Sequence, residues 1–145
     1  MTKKTLDICN RLYDRTTDEF PYKRVKMMAF LLKGNKIIDY GINSERTDPV
    51  QQRFGRLYRQ KINYHSKNFY IDKRHAEIDL LKNYLDDNID FSKYTIFILS
   101  KHNDGTYRDS KPCPICNEFL SRFNIGEICY IHNNKLISEK KLFRI

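Results

Sequence analysis

The chain reads as an α/β sandwich around a mainly parallel sheet, on two observations. Short apolar runs with strand character alternate with segments whose apolar residues recur at helical spacing, the pattern of strand–helix–strand units. The 145 residues contain no internal repeat, no low-complexity tract and no Gly/Ser/Pro linker, so a single domain is expected over 1–145.

Leu6, Ile8, Cys9, Leu12 and Tyr13 fall at helical spacing between charged positions and predict an opening helix. The run from Val25 to Leu32 is nearly all apolar, Lys33-Gly34-Asn35-Lys36 supplies turn residues, and Ile37 to Ile42 resumes, which is a β-hairpin pattern. Pro49, Gly55 and many Arg, Lys, Tyr and Gln then break the periodicity, although Val50 to Ile62 has helical character; about 44–74 reads as a long, partly helical insertion. Leu81, Tyr84 and Leu85 follow Glu77 by four, seven and eight residues, so a helix starting near His75 aims that carboxylate along its apolar stripe. Tyr94 to Leu99 reads as a buried strand, Pro114 to Phe123 as a helix stopped by Gly126, Ile128 to Ile131 as a strand, and Leu136 onward as a terminal element.

A composition of 40% hydrophobic and 13% aromatic residues excludes general disorder. No run approaches the roughly 18 apolar residues of a membrane span, and Met1-Thr2-Lys3-Lys4-Thr5-Leu6-Asp7 turns polar too early for a signal core; no membrane partner and a cytoplasmic address are expected. Cys113 and Cys116 lie close in sequence, which in a reducing compartment points to metal or redox chemistry, whereas the isolated Cys9 and Cys129 read as small buried apolar groups. The net charge of +9 points to an anionic partner: nucleotide, polynucleotide or acidic protein. A composition rich in Lys, Asn, Ile and Tyr is the competing source of that charge.

Two short motifs carry the chemistry: His75-Ala76-Glu77 at the start of one predicted helix and Pro112-Cys113-Pro114-Ile115-Cys116 at the start of the next. Either alone is common by chance. Together, in this order and with a strand between them, they match the zinc-deaminase signature H-x-E followed by P-C-x-x-C. Cys113 and Cys116 at i and i+3 share one helix face and can offer two thiolates to one ion, with His75 as the third ligand. A structural zinc takes a fourth protein ligand, for which His65 and His102 are the candidates; three ligands leave a position for water, the mark of a catalytic site. Zinc lowers the pKa of bound water to about 7, and Glu77 is placed to act as proton acceptor and donor rather than as a ligand. The competing reading of Glu77 is an ordinary surface carboxylate near a helix N-terminus.

At these residues the chain resembles the cytidine and deoxycytidylate deaminase superfamily, which also includes the adenosine deaminases acting on tRNA. The likeness runs from Val25 to about Ile131, in the hairpin ending Gly41-Ile42-Asn43, in His75-Ala76-Glu77-Ile78 and in Ser110-Lys111-Pro112-Cys113-Pro114-Ile115-Cys116. It implies a three-layer sandwich with a five-stranded mixed sheet flanked by helices, Zn2+ between two of the helices, and hydrolysis of cytosine to uracil in a nucleoside or nucleotide. It further implies that Asn43 hydrogen-bonds the sugar or base, and that the Ala76 N–H and the Lys111 C=O read the base edge; Asn43 as a simple turn cap is the alternative. Members are often oligomers, so a homo-oligomer is an open state. Asp79, where deoxycytidylate deaminases often carry Asn, and the long polar stretch Lys101 to Lys111 depart from that branch.

The insertion interleaves Arg46, Arg53, Arg56, Arg59, Lys61, Lys67, Lys73 and Arg74 with Phe54, Tyr58, Tyr64, Phe69 and Tyr70. Phosphate pairing plus base stacking, at about 1 to 3 kcal/mol per base, binds single strands through such a composition. A deaminase of cytosine or adenine in single-stranded DNA or RNA therefore stands beside the free-nucleotide reading. A non-catalytic zinc-containing nucleic-acid-binding module is the alternative of another class.

Overall fold

The computed structural model describes residues 1–18, 25–44, 46–62 and 73–140, with backbone alone for 58–62. In chain order the elements are α1 (Lys3–Thr17), β1 (Met27–Lys33), β2 (Lys36–Ile42), α2 (Pro49–Ile62), α3 (Ala76–Leu81), β3 (Thr95–Ser100), α4 (Pro114–Leu120), β4 (Glu127–His132) and β5 (Lys135–Lys140). The strands form one mixed sheet in the order β2-β1-β3-β4-β5. This is the five-stranded α/β architecture that the motif resemblance implies.

The expectation of a mainly parallel sheet is corrected. Only β3 and β4 pair in parallel; β1–β2, β1–β3 and β4–β5 are antiparallel. The strand–helix–strand reasoning holds for β3–α4–β4 alone, because the remaining strands are joined by hairpins or reached by a longer excursion. One hairpin turns at Gly34, with φ of 60°, and the other at Asn133 and Asn134, with φ of 50° and 61°. Gly and Asn tolerate this left-handed region, and the second turn makes the terminal element an edge strand.

Helices cover both sheet faces. Met28, Phe30, Leu32, Phe97, Leu99, Cys129 and Ile131 pack with Cys9 and Tyr13 of α1. Their neighbours Ala29, Leu31, Ile96, Ile98, Ile128 and Tyr130 face Ala76, Ile78, Leu81, Ile115 and Phe119 of α3 and α4, with Phe54 of α2. Burial on both faces explains why β1 and β3 read as unbroken apolar runs instead of alternating ones. Cys9 and Cys129 are fully buried free thiols, pushed up to about 12 by desolvation, as small apolar groups should be. No helix among the described residues is long and apolar enough to cross a membrane.

Three helix boundaries differ from expectation. Thr2 caps α1, its hydroxyl accepting from the Thr5 amide at 3.2 Å, and the helix runs on to Thr17. The α3 helix stops at Leu81 and passes into a 3-10 turn at Lys82–Tyr84; Tyr84 still packs edge-on to Phe91 at 5.9 Å. The α4 helix ends at Leu120, and Gly126 is needed elsewhere: a Cβ there would strike the Ser92 carbonyl oxygen.

Gly41 sets the distance between β2 and α3. A Cβ at this position would overlap the Leu80 amide nitrogen and lie 2.6 Å from the Ala76 oxygen and 2.8 Å from the Leu80 Cα, so the helix backbone rests directly on the strand. All three obstacles are main-chain atoms that cannot swing aside. Gly41→Ala is expected to cost about 1–3 kcal/mol. In urea denaturation its midpoint should fall with the m-value unchanged.

Candidate functional site

The edge where β2 and β3 end is also where α3 and α4 begin, and each helix is preceded by a residue of the motifs. His75 stands immediately before α3 with extended backbone (φ −84°, ψ 159°), and Cys113 stands before α4 with φ −66° and ψ 164°. Pro114 at the first helical position disfavours α conformation at Cys113 and so fixes where α4 starts. Ser110 laces the preceding loop to the two central strands. Its buried hydroxyl donates to the Ile98 carbonyl at 2.6 Å and accepts from the Ile131 amide at 2.9 Å.

These anchors bring three donor atoms together. His75 Nδ1 lies 3.2 Å from Cys116 Sγ and 3.5 Å from Cys113 Sγ, and all three donors fall within 4.8 Å of one another. Zinc bonds of about 2.3 Å to sulfur and about 2.0 Å to nitrogen, at tetrahedral angles, would separate such atoms by about 3.5 Å. The donor set and its spacing therefore fit a metal ion, and two thiolates with an imidazole are a set that zinc favours. Among the described residues no fourth side chain joins this group. His102 sits in the exposed loop after β3, its Nδ1 3.1 Å from an Arg108 nitrogen, and His65 lies outside the described residues.

Glu77 is 2% exposed, and its Oε1 is buried with no hydrogen-bond partner. The ordinary surface-carboxylate reading is thereby overturned. Burial pushes the carboxyl above its usual range; His75 opposes the rise and Cys113 adds to it. A hydrogen bond from the Cys116 thiol, helped by His75, draws Cys113 down to about 4 against the opposing effect of burial. Cys116 is held high by that same shared hydrogen bond and by burial. The pair thus already carries thiolate character, the form that binds metal.

A cavity of about 190 Å³ opens onto these groups, lined by Val25, Met27, Asn43, His75, Glu77, Lys111 and Cys113. Asn43 and Lys111 thus stand where a ligand of the cavity would meet them. Asn43 also pins the start of β1: its Oδ1 accepts from the Met27 amide at 2.9 Å and its Nδ2 donates to the Val25 carbonyl at 2.7 Å. Ala76 is fully buried at the first position of α3.

Two members of the basic and aromatic set have other work. Phe54, offered as a stacking platform, is 2% exposed and packs edge-on to Phe119 at 5.2 Å, because it falls on the inward face of α2. Arg74 directs its guanidinium to Asp48 at 2.7 Å and Asp79 at 3.3 Å. The side chains of Tyr58, Arg59 and Lys61, and residues Tyr64, Lys67, Phe69 and Tyr70, lie outside the described residues.

Asp48 and Asp79, the acids that pair with Arg74, are residues that sequence reasoning did not assign to the site. Asp48 accepts from the amides of Val50 (2.8 Å) and Gln51 (3.1 Å) at the start of α2, while Asp79 accepts from the Ile42 amide at 2.9 Å. Asp48-Pro49 was the available signal, since Asp before Pro is a common opening of a helix. Nothing in the sequence pairs Asp48 with Arg74.

No protein-family model matches this chain, and no curated protein matches it. Among solved structures it is similar to a cytidine deaminase from Burkholderia pseudomallei, at 14% sequence identity and a TM-score of 0.56, over 97% of this chain and 93% of that one. At that identity the likeness is one of architecture, and it extends over nearly the whole of both chains. The chain has the cytidine deaminase-like fold.

Proposed function

We propose that this protein is a zinc-dependent hydrolytic deaminase that converts cytosine to uracil in a cytidine- or deoxycytidine-type nucleoside or nucleotide. The observation that carries the reading is the buried, unpartnered carboxylate oxygen of Glu77, in the same cavity wall as His75 and Cys113. Leaving such an oxygen buried and unpaired costs free energy, and a proton-transfer role accounts for its retention. The fold shared with a cytidine deaminase supports the choice of substrate class. Arg74 is engaged by Asp48 and Phe54 is buried, so these two members of the basic and aromatic set are not offered to a strand.

His75, Cys113 and Cys116 are the residues that would hold zinc, and the ion supplies Lewis-acid activation of water at neutral pH. Glu77 then carries the protons. Its carboxylate takes one from the attacking water and delivers it to ring N3 as the new C4–O bond forms. It next takes the proton of the new C4 hydroxyl and passes it to the exocyclic amine, the C4–N bond breaks, and ammonia leaves with the C4 carbonyl of uracil in its place. A carboxyl raised by burial holds a proton taken from water more firmly than an exposed one would before passing it on. Asn43 and Lys111 border the cavity and orient the base and its sugar.

The direct test incubates the zinc-loaded full chain with cytidine, deoxycytidine, their monophosphates, and single-stranded DNA and RNA containing C and A, with products read by mass spectrometry. Replacement of the amine by oxygen on a free nucleoside or nucleotide is expected; conversion confined to strands would overturn the substrate class, and none at all would overturn the activity. Glu77→Ala should lower turnover by at least about 100-fold while zinc content stays at the wild-type level. Cys113→Ser should lose zinc and thermal stability together, and full retention of the metal would remove Cys113 from the ligand set.

A further inference from the structure

The residue before α3 has an unusual difficulty. In a self-contained helix start, the residue before the helix caps it with its own side chain, and a Glu or Gln three positions later reaches back to that residue's backbone N–H. Here the first residue is His75, whose ring is turned toward the two thiols and makes no capping hydrogen bond, and the later position is the apolar Ile78. Neither half of the local solution exists.

The missing half comes from another helix. Gln51 of α2 is fully buried, and its Oε1 accepts a hydrogen bond from the His75 backbone N–H at 3.2 Å. Gln51 itself occupies the third position after Asp48, from which such a side chain ordinarily turns back on its own helix start. Its Nε2 is buried and has no hydrogen-bond partner among the described residues, where the His75 N–H is the bond this side chain makes. The segment bearing Gln51 is fastened to α3 and β2 through Asp48, which pairs with Arg74, which pairs with Asp79, which accepts from the Ile42 amide. Burial pushes the Asp48 carboxyl up, yet the Gln51 amide and Arg74 outweigh it and hold it below the ordinary carboxylate range.

We propose that Gln51 is a positioning residue for the metal centre: its amide oxygen fixes the His75 peptide, and with it the aim of the imidazole at the thiols. This rests on the metal reading of His75, Cys113 and Cys116. Groups that orient a metal-binding histidine from behind change metal affinity by about 10- to 100-fold when removed. Gln51 would act on the histidine's main chain and not on its ring.

The test measures zinc affinity of the full chain by chelator competition for wild type, Gln51→Met and Gln51→Glu. Met keeps the size and loses the acceptor, whereas Glu keeps an acceptor oxygen. A drop of about 10-fold or more in Gln51→Met, with affinity restored toward wild type in Gln51→Glu, is the expected result. Wild-type affinity in Gln51→Met, or equal loss in both variants, overturns the proposal while leaving the metal site intact. A wild-type chain without affinity for zinc overturns the metal reading and this inference together. Hydrogen exchange on the unmodified chain tests the same contact without substitution: the His75 amide should be protected, and exchange at the rate of an exposed amide would overturn the assignment.

Discussion

Everything at the site depends on two helices starting at one edge of one sheet. Two thiols 38 and 41 positions further along the sequence come within 3.5 Å of the His75 imidazole only because α3 and α4 begin side by side where β2 and β3 end. The parallel pairing of β3 with β4 is what makes this possible: the crossover between them must pass over the sheet, and its helix necessarily begins at the carboxyl end of β3. Gly41 brings the other helix down onto β2, and Ser110 ties the loop before Cys113 to both central strands. The antiparallel outer strands complete the sheet and contribute no ligand candidate.

The polar character of this junction has a cost that the rest of the domain offsets. Glu77, Asp48 and Gln51 are all buried. Asp48 recovers part of the cost through Arg74 and two amides, so it is a satisfied structural carboxylate. Glu77 keeps an oxygen without a partner. Two buried acids are thus separated in role by whether their hydrogen bonds are complete, and the incomplete one faces the cavity.

The site was legible in the sequence to the extent that it is local. H-x-E and P-C-x-x-C are read from spacing, and the inward direction of Glu77 followed from the helical stripe through Leu81, Tyr84 and Leu85. Strand direction was not legible, because periodicity reports which side chains are buried and says nothing of which way a neighbour runs. The β5 strand left little pattern, since every one of its six residues but Ile137 is exposed. Phe54 was misread because an aromatic in a basic stretch looks the same whether it faces solvent or core. The bond from Gln51 to His75 spans 24 residues and joins groups with no shared motif, so only the folded chain brings it into view.

The chain leading into α2 is clamped to the chain leading into α3. Thr47 bridges to Lys73, the Ser44 amide bonds the Arg74 carbonyl at 2.9 Å, and the Arg74 amide bonds the Arg46 carbonyl at 3.1 Å. Chain entering and leaving is therefore clamped before it reaches His75. Doubling the number of residues in a closed loop adds only about 0.6 kcal/mol of closure entropy. The starts of α2 and α3 are accordingly held as one unit, and Gln51 and His75 keep their places relative to one another at little cost in closure entropy.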